Sequence, residues 1–98
     1  MQVDYDLLST QEKIDVLFDN FKRFLKEKNK RYGDSALKPL QIFSKIDPKN
    51  QIYNRLDDKL NRIKNSKELK KNDLSDCFGY LALALIQNNW IEFDDLLD

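Results

Sequence analysis

The fold is decided by residues 73–87, which read DLSDCFGYLALALIQ. Helical periodicity predicts one helix with apolar side chains on two sides, Leu74, Cys77, Phe78, Leu81 and Leu85 on one and Tyr80, Leu83 and Ala84 on the other. Asp73 and Asp76 share one face of its first turn, and that face points toward packed neighbours. Because a carboxylate near a core is costly unless it is paired or binds a cation, both acids require a partner.

A long helix is predicted near the start of the chain. Ser9, followed three residues later by Glu12, forms a capping box. The helix then runs to about Lys30, where residues 32–35 (YGDS) break it with a glycine suited to a positive φ. Residues 1–8 are expected to be mobile. The apolar positions of this helix repeat at helical spacing: Ile14, Leu17, Phe18, Phe21, Phe24 and Leu25.

Another helix start lies in the middle of the chain. Asp47 as N-cap and Pro48 at the first helical position predict a helix to about Lys64, ended by Asn65 and Ser66. Its buried stripe is expected to contain Ile52, Leu56, Leu60 and Ile63. A short helix is predicted before it, over Pro39 to Ser44.

The C-terminal part completes the helical pattern. Asn72 is expected to cap the apolar helix, and Asn88 with Asn89 to end it. Residues 90–98 predict a short amphipathic helix, and its inward side chains are Trp90, Phe93 and Leu97. No segment alternates as a strand would, so the sequence predicts an all-α fold, a small bundle of three main helices plus short ones.

Length bounds the core that this chain can build. Ninety-eight residues predict a single domain, 1–98, with a modest core. A helix that is apolar on nearly all sides needs more cover than two neighbours give, so we expect a homodimer or larger homo-oligomer to complete the bundle. The alternative is that the first helix and the tail from Trp90 suffice.

Residue usage excludes several classes of site. One cysteine and no histidine exclude an internal disulfide, a Cys/His zinc site and a His-dependent triad. Cys77 is expected to be a reduced core residue. The sequence has no apolar run of membrane-spanning length and no charged-then-apolar leader, so we expect a cytoplasmic protein without membrane attachment.

The formal net charge of zero conceals a strong asymmetry. Residues 1–20 hold five acids and one lysine, residues 21–72 hold sixteen basic and six acidic residues, and residues 73–98 hold six acids and no base. A basic middle between acidic ends fits an anionic ligand, or complementary docking between subunits or with a partner protein. A lysine-rich solvated surface is the alternative.

Three polar blocks carry a family resemblance. They are RYGDS (31–35), RLDDKLNR (55–62) and NDLSDCFGYLAL (72–83). The third resembles the second metal-binding motif of the MazG-like all-α nucleotide pyrophosphohydrolases, in which a carboxylate pair opens an apolar helix, and the second occupies the place of that family's first acidic helix. The three blocks together, over about residues 28–88, resemble more closely small phage and prophage proteins of the nucleotide-modification-associated, MazG-related kind.

The resemblance implies hydrolysis of a nucleoside triphosphate to pyrophosphate and monophosphate with Mg²⁺. The carboxylates that it implies as metal ligands are Asp57, Asp58, Asp73 and Asp76. The chain departs from the family where further glutamates would follow, because Lys59, Asn61 and Arg62 stand there. Lys59 and Arg62 bind phosphate rather than metal, so the sequence favours binding of a nucleotide or related phosphorylated ligand over its hydrolysis, which stays open.

Each candidate ligand contact also has a structural interpretation. Arg31, Tyr32 and Ser35 belong to a loop in which the tyrosine could stack on a base and the serine contact phosphate. Equally, the tyrosine could pack against the helix end and the serine could cap the next element. Arg62 could pair with Asp58 four residues away, and Lys59 could pair with Asp76.

Two functions of other classes stay open. A non-enzymatic interaction protein would use its segregated charges to block or sequester a host factor, such as a defence protein, and the acidic aromatic tail 90–98 would suit such docking. Nucleic-acid binding through the basic middle is the other, and the acidic ends and zero net charge argue against it.

Overall fold

A computed structural model describes residues 3–33, 37 and 47–97. Three α-helices and two short 3-10 turns account for the regular structure, and no strand occurs among these residues, which confirms the all-α class. The contacts divide the chain into two units, Met1–Gly33 and Asp34–Asp98, which are described separately. The single domain stays a prediction.

The first unit contains helix α1, Thr10–Arg31. The predicted capping box is confirmed: the Ser9 backbone N–H donates to Glu12 Oε1 at 2.9 Å, and the Glu12 N–H donates to Ser9 Oγ at 3.1 Å. Gly33 has the expected positive φ, +59°, just after the helix ends. A 3-10 turn, Tyr5–Leu7, precedes α1, and the mobility of residues 1–8 stays a prediction.

The capping box makes a prediction about pH. The pKa of Glu12 is lowered, mainly by the hydrogen bond from the Ser9 backbone N–H and secondly by a hydrogen bond with the Ser9 hydroxyl. A carboxyl whose pKa is depressed on folding stabilises the folded state above its unfolded pKa, and that contribution is lost as pH falls through the folded value. In an NMR titration we therefore expect the pKa of Glu12 to rise toward its ordinary value in Ser9→Ala. An unchanged pKa would contradict the capping role.

The second unit is a helical hairpin of α2, Pro48–Asn65, and α3, Lys71–Gln87, which pack against each other. Asp47 caps α2 as predicted, its Oδ1 accepting from the Lys49 N–H at 2.8 Å. Ile52 is fully buried and Cys77 nearly so, as expected of core residues. The first turn of α3 also buries Asp73, which confirms that it points toward packed neighbours.

The start of α3 differs from the prediction. Asn72 lies inside the helix, and the N-cap is Lys70, whose side chain makes no capping hydrogen bond. The Lys70 carbonyl instead accepts the Leu74 N–H at 3.3 Å, which extends the helix by two residues. Packing of this turn on α2 therefore outweighs the capping preference of asparagine.

The end of α3 was predicted correctly at Asn88 and Asn89. Asn89 adopts the left-handed conformation, with φ of 59°, and donates its N–H to the Ile86 carbonyl. The Trp90 N–H reaches back to the Leu85 carbonyl at 2.9 Å. These two bonds form the Schellman motif, which satisfies carbonyls that the last helical turn leaves open.

Several burial predictions are wrong for the described residues. Leu60 of α2, expected on the buried stripe, is exposed. Leu74 and Leu81 of α3 are 51% and 56% exposed in the single chain, and their cover by a second copy stays a prediction. The expected amphipathic helix over 90–98 is reduced to a 3-10 turn, Asp94–Leu96. Its supposed inward side chains are exposed: Trp90, Phe93 and Leu97. Within the second unit, α2 packs against one side of α3.

Two predictions lie outside the described residues, namely the short helix over 39–44 and the position of Ser35. Within the described part of the chain, no helix has the length and apolar character needed to span a bilayer.

Candidate functional site

Four charged side chains meet where α2 and α3 approach the turn of the hairpin. Lys59 and Arg62 come from α2, and Asp73 and Asp76 come from the first turns of α3. We call these four residues the polar junction. The sequence places two cations and two carboxylates in one candidate site, and the structure brings these four together.

Lys59 and Asp76 form the tighter contact of the polar junction. Lys59 Nζ lies 2.9 Å from Asp76 Oδ2, and the two side chains are only 19% and 22% exposed. Both charges are thus largely removed from water, and each neutralises the other. This is the structural alternative that the sequence left open for the lysine.

Asp73 and Arg62 form a looser contact with a different character. The guanidinium Nη1 lies 3.9 Å from Asp73 Oδ1, a distance too long for a hydrogen bond. The Asp73 side chain is 3% exposed, whereas that of Arg62 is 62% exposed. Asp73 Oδ1 accepts no hydrogen bond from any described residue. A buried carboxylate oxygen in this state carries an uncompensated cost and calls for a donor or a cation.

A third cross-helix contact continues the same line. The Arg55 guanidinium lies over the Tyr80 ring, 6.0 Å from its centroid. Arg62, Lys59 and Arg55 are separated by three and four residues, going backward along α2. Their partners Asp73, Asp76 and Tyr80 are separated by the same intervals, going forward along α3. Arg55 is not among the site residues predicted from the sequence. The equal spacing on two antiparallel helices is the signal that could have identified its contact with Tyr80.

The remaining predicted site residues are distributed along the chain. Asp57 and Asp58 are exposed on α2, and Asp58 forms no ion pair with Arg62. Arg31 and Tyr32 end α1 in the first unit, where Arg31 Nε pairs with Glu27 Oε1 at 3.1 Å and Tyr32 is exposed. Both residues are accessible to a ligand, and Tyr32 is not a buried packing residue.

The carboxylates fit magnesium only in part. Among the described residues no three acidic, histidine or cysteine side chains lie close enough together to hold a metal ion. Mg²⁺ usually keeps several waters and is held by one or two carboxylates together with substrate phosphates. Asp73, whose Oδ1 accepts no hydrogen bond, fits that second pattern, in which a phosphorylated ligand would bring the ion, whereas Asp76 is already paired with Lys59.

Comparison of the chain with protein-family models, with curated proteins and with solved structures finds no match in any of the three.

Proposed function

We propose that this protein binds a nucleotide or related phosphorylated ligand at the polar junction, assisted by Mg²⁺. The observation that carries the proposal is the buried oxygen Oδ1 of Asp73, which accepts no hydrogen bond and lies beside a largely exposed arginine. An acid with an unsatisfied oxygen and a loosely held cation together present the two partners that a magnesium–phosphate group requires.

The two cations of the polar junction have unequal roles in this proposal. Lys59 is held by Asp76 at 2.9 Å, so its ammonium group already has a counter-charge. Arg62 makes no hydrogen bond to Asp73, so its guanidinium is free to turn toward a phosphate, which it can bind through two parallel N–H groups. Arg31 and Tyr32 are exposed in the first unit, and their role as ligand contacts, the tyrosine through base stacking, stays a prediction from the sequence.

A thermal-shift screen against nucleotides, with and without Mg²⁺, tests the proposal. Ligand at a hundred times its Kd stabilises the folded state by about 2.7 kcal/mol, which raises the melting temperature by about ten degrees or more. We expect Arg62→Ala to abolish most of that shift. Lys64→Ala, which removes the same charge two residues further along α2, should retain it. Equal loss in both variants would indicate general charge attraction, and the absence of any shift would contradict the proposal.

Hydrolysis is the alternative that the MazG resemblance suggests, and MazG-like ancestry itself remains part of the proposal. Lys59 and Arg62 occupy positions where additional carboxylates would complete a multi-metal site. We therefore expect little pyrophosphate release when the protein is incubated with NTPs or dNTPs and Mg²⁺ or Mn²⁺. Robust release that Asp73→Ala abolishes would replace the binding proposal with an enzymatic one.

A second candidate function, that of an interaction protein directed at a host factor, is favoured by the outer face of α3. Leu74, Leu81 and Leu85 repeat at intervals of seven and four, which places them on one stripe, and they are 51%, 56% and 36% exposed. An exposed apolar stripe of this kind is typical of a protein-docking surface. Salt-independent binding of a partner protein, lost in Leu81→Asp, would favour this function over ligand binding.

Self-association is also part of the proposal. The described apolar side chains of all three helices include many that are at least two-fifths exposed. Association with a second copy would remove such surface from water and supply the core that one small chain lacks.

A further inference from the structure

The two ends of helix α3 carry opposite charge. Residues 66–71 (SKELKK), which we call the basic turn, hold three lysines and one glutamate, a net charge of +2. Residues 90–97 (WIEFDDLL), which we call the acidic segment, hold three acids and no base, a net charge of −3. The 17 residues of α3 separate the basic turn from the start of the acidic segment by about 25 Å, at about 1.5 Å per residue.

Both of these patches are exposed and carry apolar side chains. Every residue from Lys67 to Lys71 is exposed, and so is every residue from Trp90 to Leu97. Leu69, in the middle of the basic turn, is 63% exposed. The acidic segment exposes five large apolar side chains within eight residues: Trp90, Ile91, Phe93, Leu96 and Leu97. Such a concentration of exposed apolar side chains is typical of a docking surface.

The charges of both patches are available to a partner. No described residue forms an ion pair with the lysines of the basic turn or with the acids of the acidic segment. The basic turn nevertheless has a defined conformation, because Ser66 Oγ accepts the Glu68 N–H at 3.3 Å and donates to the Glu68 carbonyl. These bonds occupy neither the lysine ammonium groups nor Leu69, so a partner would meet a preorganised surface.

We propose that the acidic segment of one copy docks on the basic turn of a second copy in an antiparallel pair of hairpins. This inference rests on the proposed self-association and names the surfaces that form it. Because the two patches lie at opposite ends of α3, an antiparallel pair brings both acidic segments onto both basic turns, and a two-fold axis closes the pair. A parallel pair would instead set like charges beside each other.

The composition of the two patches supports a second copy as the occupant. In the antiparallel pair Leu69 packs against the apolar side chains of the partner's acidic segment, among them Trp90. The surrounding lysines meet the partner's acids, which gives an apolar centre with a charged rim. The chain itself thus supplies the complement of each patch in both charge and apolar character.

Two charge-reversed variants test this docking. One carries Glu92→Lys and Asp95→Lys, and the other carries Lys67→Glu and Lys70→Glu. We expect each variant alone to weaken the dimer about tenfold or more in sedimentation equilibrium, since both contacts of the pair become repulsive. An equimolar mixture of the two variants should recover most of the wild-type affinity, because each reversed patch then meets a patch of opposite charge.

The control and the contrary outcomes are equally specific. Asp15→Lys with Asp19→Lys makes the same charge change at exposed positions of α1 and should leave the dimer unchanged. Weakening of both variants without recovery in the mixture would overturn the docking of the two patches on each other. A dimer that neither variant weakens would overturn the surfaces and leave self-association intact. A monomeric wild type would overturn both and leave the two patches to partners of other sequence.

The single tryptophan gives a second measurement that does not depend on charge. Trp90 is the only tryptophan of the chain, and its side chain is 63% exposed. We expect its fluorescence to shift to shorter wavelength as the wild-type concentration rises through the Kd of the dimer, because the ring leaves water. At the same concentrations the two reversed variants should show no shift. Unchanged emission across a monomer–dimer transition seen by sedimentation would overturn the placement of the acidic segment in the interface.

Discussion

Ile52→Ala should destabilise the α2–α3 hairpin by about 3 kcal/mol, within the 2–5 kcal/mol range for large-to-small changes in a core. Ile52 is fully buried, and Cys77 is the other apolar residue that the described chain buries in its core. A hairpin with so small a core has little stability to lose. Urea unfolding followed by circular dichroism should show a marked loss of helical signal or a much lower midpoint.

Leu60→Ala is the matched control for that change. Leu60 lies on the same helix, eight residues further along, but its side chain is 57% exposed. We expect its replacement to cost less than about 1 kcal/mol, because surface changes away from a packed site have small effects. Equal destabilisation by both substitutions would contradict the assignment of Ile52 as the centre of the hairpin core.

Asp73→Asn should weaken ligand binding without a large loss of stability. The asparagine keeps the shape of the side chain and removes a buried charge whose Oδ1 accepts no hydrogen bond, so the free energy of unfolding should change by no more than about 1 kcal/mol. Binding of a phosphorylated ligand with Mg²⁺ should nevertheless weaken about tenfold or more, because the substitution removes the carboxylate that we propose as a ligand of the ion. Urea unfolding and a calorimetric titration on the same preparation measure the two effects.

Asp76→Asn should behave in the opposite way. Its carboxylate pairs with Lys59 at 2.9 Å, so the substitution leaves a largely buried ammonium without its counter-charge. We expect a loss of stability of about 1 kcal/mol, after allowance for partial exposure of both groups. If Asp73→Asn unfolded the protein while Asp76→Asn left it stable and blocked ligand, the two acids would have exchanged roles.

Local signals in the sequence predicted the helices well. The Ser9 capping box, Asp47 with Pro48, and Asn88 with Asn89 each act within a few residues, and the corresponding helix ends lie where these signals indicate. The start of α3 was missed because its position depends on packing against α2 rather than on a capping side chain. Helix capping involves residues that are close in sequence, so it can be recognised from one segment of the chain. Packing also depends on the residues of the helix that is contacted.

The candidate site was predictable only in part. The resemblance grouped Lys59, Arg62, Asp73 and Asp76 with Asp57 and Asp58, which are exposed instead, and the pairing of Lys59 with Asp76 was one of the alternatives that the sequence left open. Which cation meets which acid depends on the register of the hairpin, and that register follows from the length of the turn and the position of Ile52. The different exposure of Arg62 and Lys59, on which the functional proposal depends, is likewise a property of the packed pair.

The central claim is that the polar junction binds a phosphorylated ligand. The most direct test is a titration of the ¹⁵N-labelled protein with a nucleoside triphosphate and Mg²⁺, followed by two-dimensional NMR. We expect chemical-shift changes concentrated around Lys59 to Arg62 and Asp73 to Asp76, reduced in Arg62→Ala and retained in Lys64→Ala. The absence of shift changes with any nucleotide, or changes confined to residues remote from these two segments, would contradict it.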